Sequence, residues 1–299
     1  MRINHRKGGT VASLVHYNRC IYFRDYVKWR AQHVIQGFRN DDPRFLSARK
    51  RLEDYVNGVT VLLPKPRSGD REAISAEAER ILRDVIHPDH PKNPFRAKHR
   101  HRNYALLLLY IELGTRLAEA LVLKGQDLVL HGSEPGLIVH RRADDPADPR
   151  TDQPLTKTAS RPLPLGDELR SAIEVWVTAH RTDRTRYPGA KKTPYLFVSE
   201  RGLPISKRAV SHMFQLLAKV AGLEGLTAHR LRHRWNERFS DLADAEQWDE
   251  AEEIAQRNFL MGWKKNSAMA GTYTIRGTRR ASHQSSLKLQ RKSLEGRNT

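Results

Sequence analysis

Apolar and aromatic side chains recur at helical spacing from Val11 to about Phe38, with Ile21, Tyr22, Tyr26, Val27, Trp29, Val34 and Ile35 in the series and no glycine before Gly37. The pattern predicts one long helix. Arg19, Arg24, Lys28 and Arg30 interleave with the aromatic positions, so the helix would carry a basic face beside its apolar one. A second helix is expected from Pro43 to Asn57, opened by the proline and stopped by Gly58. The turn formers between Pro64 and Asp70 then mark a linker and divide the chain into residues 1–70 and 71–299.

Beyond the linker, Ser75 stands where an N-cap belongs, ahead of Glu77 and Glu79, and His87-Pro88 closes that helix. The run Ala105 to Leu113 is apolar enough for a buried helix; Gly114-Thr115-Arg116 interrupts it, and Leu117 to Lys124 resumes the helical pattern. Arg116 therefore falls at a turn between two helices. Gly136 to His140 and Ser160 to Leu165 have strand character and are expected to pair as a hairpin across a long loop. Tyr195 to Val198 is a further short strand candidate. Helices are expected over Asp167–Arg181, Ile205–Val220, Thr227–Leu242 and Glu246–Leu260, with Thr227 as a cap. The fold class is thus mainly α with a small antiparallel β-sheet.

Charge changes this picture. The sequence of 299 residues holds 53 Lys and Arg against 34 Asp and Glu, a formal net charge of +19, more than solubility requires, and it points to a polyanionic partner. Residues 1–70 hold 14 Lys or Arg against 6 Asp or Glu, and the segment 274–299 holds 7 against one. The first is expected to be a DNA-touching helical part. The second reads as an arm that orders against a partner. One cysteine, Cys20, excludes an internal disulfide framework and a thiolate zinc site. No apolar run reaches a membrane span, and Met1 to Gly9 lack a signal core, so the cytoplasm is expected, with the nucleoid as the location when DNA-bound in a bacterial host.

Candidate chemistry centres on His229-Arg230-Leu231-Arg232-His233. Residues three apart share a helix face, so His229 and Arg232 can address one anionic group. No glycine-rich nucleotide loop accompanies them, which favours a nucleic-acid backbone. His229 and His233 also have metal-ligand spacing, but the neighbouring arginines would repel a cation, and no metal site is expected. Asp144, Asp145 and Asp148 lie in a proline-containing loop and read as solvated. Lys98, Arg100 and Arg102 form a basic run with either phosphate-contacting or solvated side chains, and Arg24 and Lys28 are DNA-contact candidates of the first part.

Four elements occur in order: Gly114-Thr115-Arg116-Leu117-Ala118-Glu119, Lys157 within Thr156 to Leu165, His229 to His233, and Leu260-Met261-Gly262-Trp263 followed by Tyr273. In that order they resemble the tyrosine recombinases, the phage-integrase family, over roughly Ile74 to Thr274. The resemblance implies a helical core-binding domain followed by a catalytic domain, and a site of Arg116, Lys157, His229, Arg232, Trp263 and Tyr273 with Glu119 and His233 in support. It implies a 3′-phosphotyrosine formed by Tyr273, protonation of the 5′ leaving oxygen by Lys157, and no cofactor. Double-stranded DNA would be the substrate, with a tetramer in the synaptic complex and accessory DNA-bending proteins as further partners. The residue types suit the task independently: arginine forks stabilise charge growing on phosphate oxygens, and tyrosine supplies a nucleophile. Trp263 departs from the histidine of many members; indole donates one N–H and accepts no proton, leaving His229 as the base. Core packing is the other reading of Trp263. The interval from Arg232 to Tyr273 is longer than the family pattern, and Ala243 to Glu253 is where extra chain would fit. A type IB topoisomerase-like relaxing enzyme and a catalytically silent DNA-binding regulator of the same fold are the alternatives.

Overall fold

The computed structural model describes residues 3–4, 9–10, 13–63, 73–142, 145–156 and 158–264. The linker 64–70, Asp144, Lys157, Tyr273 and the segment from 274 onward lie outside the described residues. Contacts divide the chain into two units, Met1–Arg71 and Glu72–Thr299.

In the first unit a two-residue strand pair, β1 (Ile3–Asn4) with β2 (Gly9–Thr10), precedes α1 (Ser13–Ile35) and α2 (Pro43–Leu62). The pair was not foreseen in the sequence. Asp42 caps α2, its carboxylate accepting from the Arg44 N–H at 2.8 Å. Gly58 does not stop this helix, which runs on to Leu62: a glycine in open helical surface weakens the helix by only about 1 kcal/mol, and a Cβ there would meet nothing within 4 Å. Arg24 ties the two helices by donating to Thr60 Oγ1 at 3.0 Å and pairs with Asp25 at 2.7 Å. Lys28 lines a groove between them with Arg49 and Glu53. None of the described side chains of this unit is buried.

The second unit is built around α4 (Arg100–Glu112), whose residues Ala105 to Tyr110 are wholly inaccessible to solvent. Against it pack α3 (Ala76–Ile86), α5 (Leu117–Leu121), α6 (Asp167–Val175) and α8 (Ala228–Ala245). A three-stranded antiparallel sheet, ordered β3 (Leu128–Val129), β4 (Gly136–Val139), β5 (Arg161–Pro164), flanks this core. The expected hairpin is present, in the register Leu137 opposite Leu163 and Val139 opposite Arg161. The last two helices are α7 (Lys207–Ala221) and α9 (Glu250–Met261). Among the described residues no helix is long and apolar enough to cross a membrane.

Several boundaries differ from expectation for local reasons. The buried helix starts at Arg100 and takes the basic run into its first turn. The helix after Arg116 ends at Leu121, because Lys124 leaves helical geometry to bridge Tyr195. Tyr195–Val198 contributes two isolated bridges, to Lys124 and to Pro204, in place of a strand. The helix from Asp167 closes in a π-helical turn at Trp176–His180. Asp249 caps α9, accepting from the Glu252 N–H at 2.8 Å, so the helix begins after Glu246; the intervening Gln247 has φ 57°.

The acidic loop after β4 is not solvated as expected. Asp145 pairs with Lys124 at 2.8 Å, and Asp148 is buried against Arg150 at 2.6 Å. Arg150 in turn donates to the carbonyls of Leu121 and Ile205. These carboxylates pin a long connection to the core. Among the described residues no cluster suited to a metal ion occurs.

Glu79 joins α3 to α8. It is buried and accepts from Arg83 at 3.0 Å, Arg234 at 2.9 Å and Arg238 at 2.8 Å. Burial raises its carboxyl pKa, but Arg238, Arg234 and Arg83 outweigh that and hold it below the ordinary 4.5. Its stabilisation is therefore full above about pH 4.5 and lost as pH falls through the lower folded value. Glu79→Gln is expected to flatten the acid limb of a plot of unfolding midpoint against pH. Leu108→Ala, within the inaccessible stretch of α4, is expected to lower unfolding free energy by about 2 to 5 kcal/mol in a denaturant titration.

Candidate active site

The site begins where α4 ends. Gly114 has φ 56°, and a Cβ there would lie 2.8 Å from Trp235 Cγ, so both backbone and neighbour demand glycine. The turn leaves Arg116 extended at the N-cap of α5, half-exposed, with its backbone N–H donating to Glu119 Oε2 at 2.9 Å. Glu119 is the N3 residue of that helix and is buried, 1% exposed.

The Glu119 carboxylate organises what surrounds it. Arg161 donates to it from both terminal nitrogens, at 3.3 and 3.1 Å, and the Thr158 hydroxyl donates to Oε1. Arg116 Nη1 lies 3.6 Å away. Burial by itself would raise this carboxyl's pKa, yet the charges of Arg161 and Arg232 and the bonds from Arg161 and Thr158 hold it below the usual carboxylate range. Glu119 thus stays ionised beneath a group of cations. Arg161 was absent from the expected site residues. Its signal was present, since strand alternation puts it on the same inward face as Leu163, where an arginine must find a carboxylate. Thr158 carried no comparable signal.

Arg232 comes from the first turns of α8. Thr227 caps that helix, accepting from the Arg230 N–H at 3.3 Å. The buried Arg232 guanidinium donates to the Gly114 carbonyl at 2.6 Å and to the Met261 carbonyl at 3.2 Å, which fixes the plane of its fork. Arg116 reaches the same Met261 carbonyl at 3.5 Å. The C-terminus of α9 therefore holds both arginines. Gly262 ends α9 at φ 63°, and a Cβ there would sit 2.5 Å from Arg161 Nη1 and 3.0 Å from Thr158 Cβ. Trp263 follows, its ring centroid 5.5 Å from Arg232 Cζ in a cation–π arrangement.

His229 lies one turn before Arg232 and is exposed, its Nε2 2.9 Å from His233 Nε2. His233 is buried, as suits a support. Arg116, His229 and Arg232 line one cavity of about 450 Å³. The basic run does not join them. Lys98 pairs with Glu200 at 2.7 Å, and Arg100 donates to the carbonyls of Pro88 and Phe95. Arg102 is 7% exposed, donating to Asn103 Oδ1 and the Val198 carbonyl; the expectation of a phosphate contact fails there because the side chain faces inward.

Comparison with known proteins gives this geometry its context. A stretch of 132 residues is 28% identical to the TnP I resolvase of Bacillus thuringiensis, covering 44% of this chain and 38% of that protein. Another of 137 residues is 31% identical to the type 1 fimbriae regulatory protein FimE of Escherichia coli K12, covering 44% of this chain and 58% of that one. The chain thus aligns with less than two thirds of either relative. In fold it is similar to the XerH site-specific recombinase bound to palindromic difH substrate, with a TM-score of 0.54 at 17% identity over 88% of this chain and 71% of that one. It is likewise similar to the Tn1549 transposon integrase in complex with circular intermediate DNA, with a TM-score of 0.52 at 17% identity over 93% and 88%. The sequence model of the phage integrase family matches residues 77–274. That match runs from α3 past the end of α9, through every segment that builds the arginine cluster, and the chain belongs to the phage integrase family, the tyrosine recombinases.

Proposed function

We propose that this chain is a site-specific DNA recombinase or integrase that cleaves and rejoins duplex DNA through a 3′-phosphotyrosine. The observation that carries the reading is the convergence of Arg116 and Arg232 on the Met261 carbonyl at the wall of a cavity that His229 also lines. Two forked cations so held are preorganised for the non-bridging oxygens of one phosphodiester, where negative charge grows during displacement. Glu119 and His233 are positioning groups in this scheme.

Tyr273 attacks the phosphorus, forming the P–O bond to tyrosine as the P–O5′ bond breaks. The phenolic proton passes to His229, and Lys157 gives a proton to the departing 5′ oxygen. Trp263 donates its indole N–H to the phosphate. The phosphotyrosine conserves the phosphodiester bond energy, so resealing by the reverse displacement draws on no nucleotide. Residues 1–70 act as a helical DNA-binding part, with Arg24 and Lys28 toward the backbone, and residues 71–299 as the catalytic domain. Four protomers pair two sites in the synaptic complex, with accessory DNA-bending proteins setting its geometry.

Suicide duplexes built from the repeats that flank the coding region in its genome test the nucleophile. The wild-type chain is expected to give a covalent protein–DNA band on a denaturing gel and Tyr273→Phe none; a band with the variant would sink the assignment. Relaxation of a supercoiled plasmid independent of its sequence would favour the topoisomerase-like reading. Arg232→Lys keeps the charge and loses the fork, and is expected to slow cleavage on the order of 10²-fold without loss of the folded state by circular dichroism.

A further inference from the structure

The cavity that holds Arg116, His229 and Arg232 has a fourth basic member, Lys207, and a single carboxylate among its described lining residues, Asp152. Lys207 opens α7 immediately after the capping Ser206. A cation there opposes the positive end of the helix dipole, and Arg208 follows it with no acidic residue in that turn. The stability of α7 therefore does not account for the choice of lysine.

Lys207 Nζ donates to Asp152 Oδ1 at 2.7 Å and to the Gln153 carbonyl at 3.2 Å. The Asp152 side chain is 81% exposed and that of Lys207 33%. An ion pair so open to water is screened and contributes little to stability. The backbone on the acid's side is held: the Gln153 side chain donates to the carbonyls of Asp145 and Asp148, and Arg150 is anchored to the core. Lysine, on its flexible four-carbon stem, is the partner able to turn away.

We propose that Lys207 is a DNA-phosphate ligand masked in the free protein by Asp152, taking up the backbone phosphate next to the one addressed by Arg116 and Arg232. The inference rests on the recombinase reading and adds to it a residue outside the family's motifs. Entering DNA exchanges one monoanion for another on Lys207; the exchange is driven by the tethering of that phosphate to the neighbour addressed by Arg116 and Arg232, while Asp152 returns to water. Asp152 meanwhile weakens binding of any anion too small to displace it.

The test is the salt dependence of binding by the full chain to a short, fluorescently labelled, mixed-sequence duplex, read by anisotropy. Loss of one phosphate contact is expected to reduce the slope of log K against log salt by about 0.9, which is roughly 8-fold in affinity at about 0.1 M salt. Lys207→Ala should show that reduction and Lys207→Arg should not. Asp152→Asn should tighten binding in the wild-type background and lose that gain in Lys207→Ala. An undiminished gain would mean that Asp152 acts by general repulsion, and masking would be wrong. An unchanged slope in Lys207→Ala, with wild type still forming the covalent adduct on suicide duplexes, overturns the Lys207 assignment and leaves the recombinase reading standing. Failure of the wild-type chain both to bind duplex and to form the adduct overturns both.

Discussion

The second unit depends on one buried negative charge, that of Glu119. Three arginines crowd this site, Arg161 and Arg232 buried and Arg116 half-exposed, and without an anion beneath them their mutual repulsion would open it. Glu119 neutralises part of that charge while a backbone N–H, a hydroxyl and a guanidinium satisfy its oxygens. Removing one partner of such a buried pair typically costs about 3 to 5 kcal/mol. It also links the α5 turn to the β-hairpin, since Arg161 arrives on β5 and Thr158 just before it.

Helix α8 is held at two places along its length. Arg232 grips the ends of α4 and α9 near its N-terminus, and Arg234 and Arg238 grip Glu79 further on. Between Arg232 and Arg238 a helix rises only about 9 Å, so two sets of contacts resist rotation over less than two turns. Arg257, inaccessible inside α9, adds a third by donating to the Asn236 carbonyl on α8. The orientation of His229 is inherited from these constraints together with its contact to His233.

Much of this was readable from local chemistry. The caps at Ser75 and Thr227, the buried run Ala105 to Leu113, the hairpin and the turn at Arg116 follow from residue type and period, because those signals act over a few residues. Arg116, Arg232, Glu119 and His233 were recognisable as a set by their order. For Arg161 the alternation of β5 reports the inward direction but not the partner, which lies 42 positions away. The acidic loop misled for the same reason: Asp145 and Asp148 resemble solvated turn residues until Lys124, Arg150 and Tyr195 are brought against them. Gly58 shows the converse, where a local stop signal was overridden by continued helix on both sides.

Among the described residues β5 is the outer strand of its sheet, and it carries Pro162 and Pro164 on its outward-facing positions. Proline has no N–H to offer, so a further strand laid along this edge would find too few donors to form a ladder. That is a safeguard on solubility: copies of the chain can be brought close without their sheets fusing edge to edge.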